Sequence, residues 1–193
     1  IRGFVGFDRL SAAASDTFNA LAGKSAFTGF TLGADVYGRV LPANSFVRLG
    51  FSSTKLEGER VVVVDNDVFS TGIPLTMTMK PVTVGGGIRF VPKPRPSARR
   101  SSTQLTPYVG LGVVMLKYRE VSDFGEDAEN AVESHTGVSF FGGVDLKFSK
   151  LLSAGVEAEY RSVKGFGAGG VSEAFGEDKL GGLSLKFLIG VTK

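Results

Sequence analysis

Between Gly137 and Val163 the chain reads GVSFFGGVDLKFSKLLSAGVEAEYRSV, and apolar and polar residues alternate through it with period two. Val138, Phe140, Val144, Leu146 and Phe148 share one parity, while Ser139, Gly143, Asp145 and Lys147 take the other. After Ser149 and Lys150 the pattern resumes, with Leu152, Ala154, Val156, Ala158 and Tyr160 set against Ser153, Gly155, Glu157, Glu159 and Arg161. Successive side chains of a strand point to opposite faces, whereas a helix of 3.6 residues per turn would scatter this pattern around its circumference. Two period-two runs joined by a few residues predict a β-hairpin.

The same alternation recurs elsewhere. Phe30, Leu32, Ala34, Val36 and Val40 oppose Thr31, Gly33, Asp35, Tyr37 and Arg39, and Val47, Leu49 and Phe51 oppose Arg48, Gly50 and Ser52. Near the end, Leu183, Leu185, Phe187, Ile189 and Val191 oppose Ser184, Lys186, Gly190 and Thr192. Eight strands are predicted: Ile1 to Leu10, Phe27 to Val40, Ser45 to Val63, Phe69 to Phe90, Leu105 to Glu120, Thr136 to Phe148, Leu151 to Lys164 and Leu180 to Thr192. One short helix signal, SAAASDTFNALA from Ser11 to Ala22, contains helix formers without a sustained core-facing period. In the fourth strand Leu75, Met77 and Met79 fall on one parity and Val84, Ile88 and Phe90 on the other, so a bulge is expected at Lys80 and Pro81, where proline cannot donate to the ladder.

The connections differ in length. Leu41 to Asn44 and Ser149 to Lys150 are short, whereas Ser11 to Ala26, Val121 to His135 and Gly165 to Lys179 are long and polar. VVVVDNDVF, around Asp65 to Asp67, reads as a hairpin that carries two strands past a barrel rim, and PKPRPSARRSST as a Pro-stiffened turn on the short side. With an even number of strands, both termini and the short turns fall at one end and four long connections at the other. The expectation is one domain over residues 1–193, an all-β, eight-stranded antiparallel up-and-down transmembrane β-barrel.

The alternative is a soluble, lipocalin-like barrel with its apolar face turned inward around a small ligand. Three features favour the inverted arrangement. The polar parity is rich in Gly, as at Gly33, Gly50, Gly110, Gly112, Gly143 and Gly155, which leaves room in a narrow lumen for long charged side chains. The apolar parity is nearly free of charge over about ten residues per strand, the length a tilted strand needs to cross hydrocarbon. The two classes of connection sort to opposite ends. No window approaches the roughly 18 apolar residues of a membrane-spanning helix, so a membrane would be crossed by strands in a closed barrel without unpaired edges.

With lipid outside, Asp8, Asp35, Arg39, Arg48, Arg89, Asp145, Lys147, Glu157, Glu159, Arg161 and Lys186 face the interior. Both signs are present, so a lumen ion-pair network is expected, in a barrel just wide enough for side chains to fill. A narrow pore is the competing reading of the same interior.

PYVGLGVVMLKY (Pro107 to Tyr118) and GGVDLKFSKLLSAGVEAEYR (Gly142 to Arg161) resemble the small outer-membrane β-barrel family that includes the OmpA transmembrane domain and OmpX. The resemblance implies a Gram-negative outer-membrane location, a salt-bridged lumen, lipid and lipopolysaccharide as surroundings, and a role in membrane integrity or surface interaction through the long loops. Such barrels usually end on an aromatic residue, and this sequence ends FLIGVTK, which leaves Phe187 for that part or places it after Lys193. The sequence starts at Ile1 without a basic-then-apolar leader, so either a signal peptide has been removed or none existed, and export is inferred from the barrel.

No catalytic constellation emerges. His135 is the single histidine, with Glu133, Ser134 and Ser139 nearby, and its spacing matches no nucleophile, base and orienting group. Glu157 and Glu159 have basic partners at hand, which points to ion pairing and not to acid/base work. The acidic stretches Asp123 to Glu133 and Ser172 to Asp178 lack a metal-loop spacing and read as solvated loops. Gly85 to Gly87 and GFGAGG from Gly165 lack the strand-to-helix context of a phosphate loop. The net charge of +3 is mild, and its excess is concentrated between Lys93 and Arg100, which does not indicate a nucleic-acid partner. No cofactor and no metal are expected.

Overall fold

In the computed structural model the chain closes into a barrel in the order β1-β2-β3-β4-β5-β6-β7-β8, each strand antiparallel to its neighbours. The strands are β1 (Arg2–Ala12), β2 (Ala26–Val36), β3 (Ser45–Val64), β4 (Asp67–Arg89), β5 (Gln104–Val121), β6 (Ala131–Lys147), β7 (Leu152–Lys164) and β8 (Lys179–Thr192). Two helices, α1 (Ser15–Ala22) and α2 (Val171–Ala174), lie in the β1–β2 and β7–β8 connections. The structure describes residues 1–37, 42, 44–64, 67–92, 104–122, 130–165 and 171–192. Arg39, the tip at Asp65 and Asn66, the basic run from Lys93 to Arg100 and most of the acidic stretch after Asp123 lie outside them. β1 and β8 close the cylinder from Arg2 opposite Thr192 to Ala12 opposite Gly182.

The two ends differ in kind. Both termini share one end with the β2–β3, β4–β5 and β6–β7 turns, while the other end carries both helices and the β3–β4 hairpin. β3 pairs with β2 only as far as Thr54, and β4 pairs with β5 only from Thr76. Their mutual pairing nonetheless continues to Val64 opposite Asp67, so a two-stranded ribbon projects beyond the barrel.

The expected bulge at Lys80 and Pro81 is absent. Lys80 stands opposite Lys117 and Pro81 opposite Leu116 in an uninterrupted register. The irregularity lies higher, between Glu59 and Val61, whose partners are Pro74 and Ser70; Gly72, between those partners, adopts φ 70°, a left-handed conformation suited to glycine. Leu75, Met77 and Met79 therefore keep the lumen parity of Pro81 and Thr83, and all of them are buried. The apparent change of phase is a change in what fills the lumen. Toward the loop end the interior is apolar: Leu10, Phe27, Leu56, Met77, Leu116 and Val163 pack with Phe18 and Leu21 of α1.

Helix α1 packs against the apolar loop end of the lumen. Phe18 and Leu21, one turn apart, share the buried face, and Phe18 meets Phe27 edge to face at 5.3 Å. Gly23 ends the helix in the left-handed region, its N–H donating to Asn19 O. Ala14 offers no side-chain cap at the other end, and Glu177 from the β7–β8 connection takes that place. Its carboxylate accepts from the backbone N–H of Asp16 (3.1 Å) and Thr17 (2.8 Å) and from Thr17 Oγ1 (2.7 Å). The stretch read as a solvated acidic loop thus ties two loops together. Glu177→Ala is expected to cost about 0.5–2 kcal/mol of local stability, seen as faster hydrogen exchange at the Asp16 and Thr17 amides with the barrel intact.

Candidate functional site in the lumen and at the loop end

In the half of the lumen nearer the termini, alternation places charged residues from seven strands, all but β5, inside the cylinder. Among the described residues they form one unbranched chain of alternating sign. Arg89 Nη2 lies 3.5 Å from Asp145, Asp145 2.6 Å from Arg2, and Arg2 3.2 Å from Asp35. Asp35 accepts two bonds from the Arg48 guanidinium, 2.6 and 3.0 Å. Arg48 also bonds Glu157, which accepts from Lys186 Nζ at 2.9 Å. Lys186 reaches Glu159, Glu159 takes a two-toothed contact of 3.0 and 2.8 Å from Arg161, and Arg161 lies 3.7 Å from Asp8. Five cations thus meet five carboxylates. Such neutrality lets charges sit where water is scarce. Of the residues named from the sequence, Lys147 stays half-buried at the mouth near Arg89 and Thr192.

Sequence reasoning missed Arg2, which shares Asp8's parity and joins two carboxylates across the barrel. It also missed an aromatic collar. Arg48 Cζ lies 4.9 Å from the Phe4 ring, 5.4 Å from Phe46, 5.3 Å from Tyr108 and 4.5 Å from Phe141, within cation–π range of all four. Tyr108 also donates to Glu157 at 2.8 Å.

Each collar residue faces a glycine across the ladder: Phe4 opposite Gly33, Phe46 opposite Gly87, Tyr108 opposite Gly143 and Phe141 opposite Gly110. A Cβ on Gly33 would stand 2.5 Å from the Phe4 ring, and one on Gly110 2.4 Å from that of Phe141. These glycines make room chiefly for rings, and Gly155 and Gly190 do the same for Asp145 and Arg2. The signal was present in the sequence as aromatic residues on the polar parity.

His135 and Glu133 both face inward, bonded at 2.8 Å, and Ser134 points to the outer face opposite Lys117. Ser139 is fully buried deeper in the lumen. Among the described residues no nucleophile meets the imidazole. Among the described residues no group of carboxylates and imidazole could hold a metal ion.

The outer face is apolar, with Phe7, Leu49, Leu111, Phe140, Phe187 and Ile189 each more than half exposed. A lipocalin-like interior would need those side chains inside. An apolar patch that encircles the barrel is a surface for lipid and not for water.

No protein-family model matches the chain, and no curated protein matches it. Among solved structures it is similar to Ail, the attachment invasion locus protein of Yersinia pestis, here in complex with the heparin analogue sucrose octasulfate. The TM-score is 0.53 at 14% identity, over 98% of this chain and 95% of that one. It is also similar to Neisserial surface protein A, with TM-score 0.50 and 11% identity, over 98% of this chain and 92% of that one. The fold is that of the small outer-membrane β-barrels.

The barrel's remaining features agree with that fold. Among the described residues no helix is long and apolar enough to cross a membrane, and the strands supply the crossing. Chain closure leaves no backbone edge within the apolar belt.

Proposed function

We propose that the protein is a non-enzymatic integral protein of a Gram-negative outer membrane, a single barrel domain that acts at the cell surface through its loop end. The projecting β3–β4 ribbon carries this reading. Beyond Thr54 and Thr76 neither edge of the ribbon pairs with another strand among the described residues, and Val62, Val64, Val68 and Phe69 are 51%, 52%, 41% and 55% exposed. Unpaired edges with apolar side chains are what an extended partner segment adds to. The surroundings are lipid and lipopolysaccharide, the docking partner is a protein surface, and nucleic acid has no part.

The lumen is read as a closed, ion-paired plug. The space left among Arg48, Glu157, Glu159 and Lys186 is about 10 Å³, no more than one water needs. In a planar bilayer the protein should show no steady openings, and a stable conductance would contradict the plug. Hydrolysis of lipid A that is lost in His135→Ala would overturn the non-enzymatic reading.

The docking reading is tested with cells that display the barrel on a protein-coated surface. Val62→Lys with Phe69→Lys should reduce adhesion roughly 30-fold, the effect of losing an interface anchor, with unchanged heat-dependent gel mobility. Equal adhesion by cells with and without the barrel would sink it.

A further inference from the structure

Two pairs of lysines stand directly opposite each other on the outer face. Lys80 of β4 faces Lys117 of β5, and Lys164 of β7 faces Lys179 of β8. All four are exposed, and none pairs with a carboxylate among the described residues. Opposed residues hold their Cβ atoms about 4.5–5.5 Å apart, and like charges at that separation repel. One such pair would be unremarked; two on separate ladders call for a common cause.

Their height supplies it. On β5 the outward positions from Leu105 through Val109, Leu111, Val113 and Met115 are apolar until Lys117. On β8 the outward positions from Val191 up to Leu183 are apolar, Gly181 follows, and Lys179 comes next. Lys117, Lys164 and Lys179 stand 12 or 13 residues from the strand ends that lie with the termini, and Lys80, which faces Lys117, stands nine from the end of β4; a tilted strand uses about 9–11 to cross hydrocarbon. The lysines therefore sit at headgroup level on the loop side. Arg119, two residues beyond Lys117 on the same face, adds a third cation to the first pair.

We infer that each lysine pair clamps a phosphate monoester of a lipid A-type glycolipid in the outer leaflet. A monoester carries about −1.5 to −2 charges at neutral pH and balances two ammonium groups, which a phosphodiester with one charge does not. Lysine binds phosphate as a point charge, so a facing pair suits a compact dianion. The inference rests on the proposed membrane orientation and deepens the lipid part of that reading. It is independent of docking by the β3–β4 ribbon.

Folded protein in zwitterionic micelles is titrated with bisphosphorylated lipid A and, separately, with phosphatidylglycerol. Lys80→Gln with Lys117→Gln, and Lys164→Gln with Lys179→Gln, should each weaken lipid A binding about 10- to 30-fold. Phosphatidylglycerol should bind weakly and alike in all forms. Val62→Lys with Phe69→Lys should bind lipid A as the parent does, which separates this site from the ribbon. Without lipid, Lys117→Gln should be at least as stable as the parent, because a repulsion is relieved. Unchanged lipid A affinity in both double variants, equal competition by phosphatidylglycerol, or a less stable lipid-free Lys117→Gln would each overturn the assignment.

Discussion

Arg48→Met is expected to destabilise the barrel by about 3–5 kcal/mol, the cost of leaving buried carboxylates without their cation. Arg48 is the link between the two halves of the alternating chain, holding Asp35 on one side and Glu157 on the other. Methionine fills much of the volume among Phe4, Phe46, Tyr108 and Phe141, so the loss reports charge more than packing. Lysine should recover only part, since it keeps the charge but not the fork that reaches Asp35 twice and Glu157 once. Urea titration in micelles, followed by far-UV circular dichroism and gel mobility because the chain has no Trp, measures the difference. Adding Glu157→Gln to Arg48→Met should restore part of the loss, a coupling that a double-mutant cycle isolates. A cost below about 1 kcal/mol would mean that water reaches the network and screens it.

Much of this architecture was legible because a barrel wall has only two faces. Strand period, strand number and the sorting of connections each follow from local pattern, and closure follows from having to pair every edge. The lumen was less legible, because its chemistry changes with height while its parity does not. Leu75, Met77 and Met79 looked like lipid-facing residues out of phase, yet they lie under α1, in the apolar half of the interior. Parity identifies a face, and only the register between distant strands shows what shares a level. The same limit hid the collar. Phe141 and Gly110 are separated by 31 positions in sequence, and their contact depends on the β5–β6 register. Glu177 and α1 are further apart still, joined by a cap that no local rule for a helix start would reveal.

Leu111→Arg is the substitution that separates a lipid-facing wall from a water-facing one. Leu111 is 64% exposed and lies midway along the apolar outward run of β5. If water covered it, replacement of an exposed side chain would change stability by no more than about 0.5 kcal/mol. In a bilayer the same change brings a guanidinium to the midplane of the hydrocarbon, at about 2–4 kcal/mol, with the cost falling to about 0–1 near the interface. A depth series follows from the strand itself, because its outward positions climb from Leu111 through Val113 and Met115 to Lys117, which is already basic. Arginine should therefore cost most at Leu111, less at Val113 and least at Met115, measured by reversible folding into phospholipid vesicles. The decline locates the edge of the hydrocarbon at the level of the Lys80 and Lys117 pair, and a flat series near zero would remove the bilayer from that face.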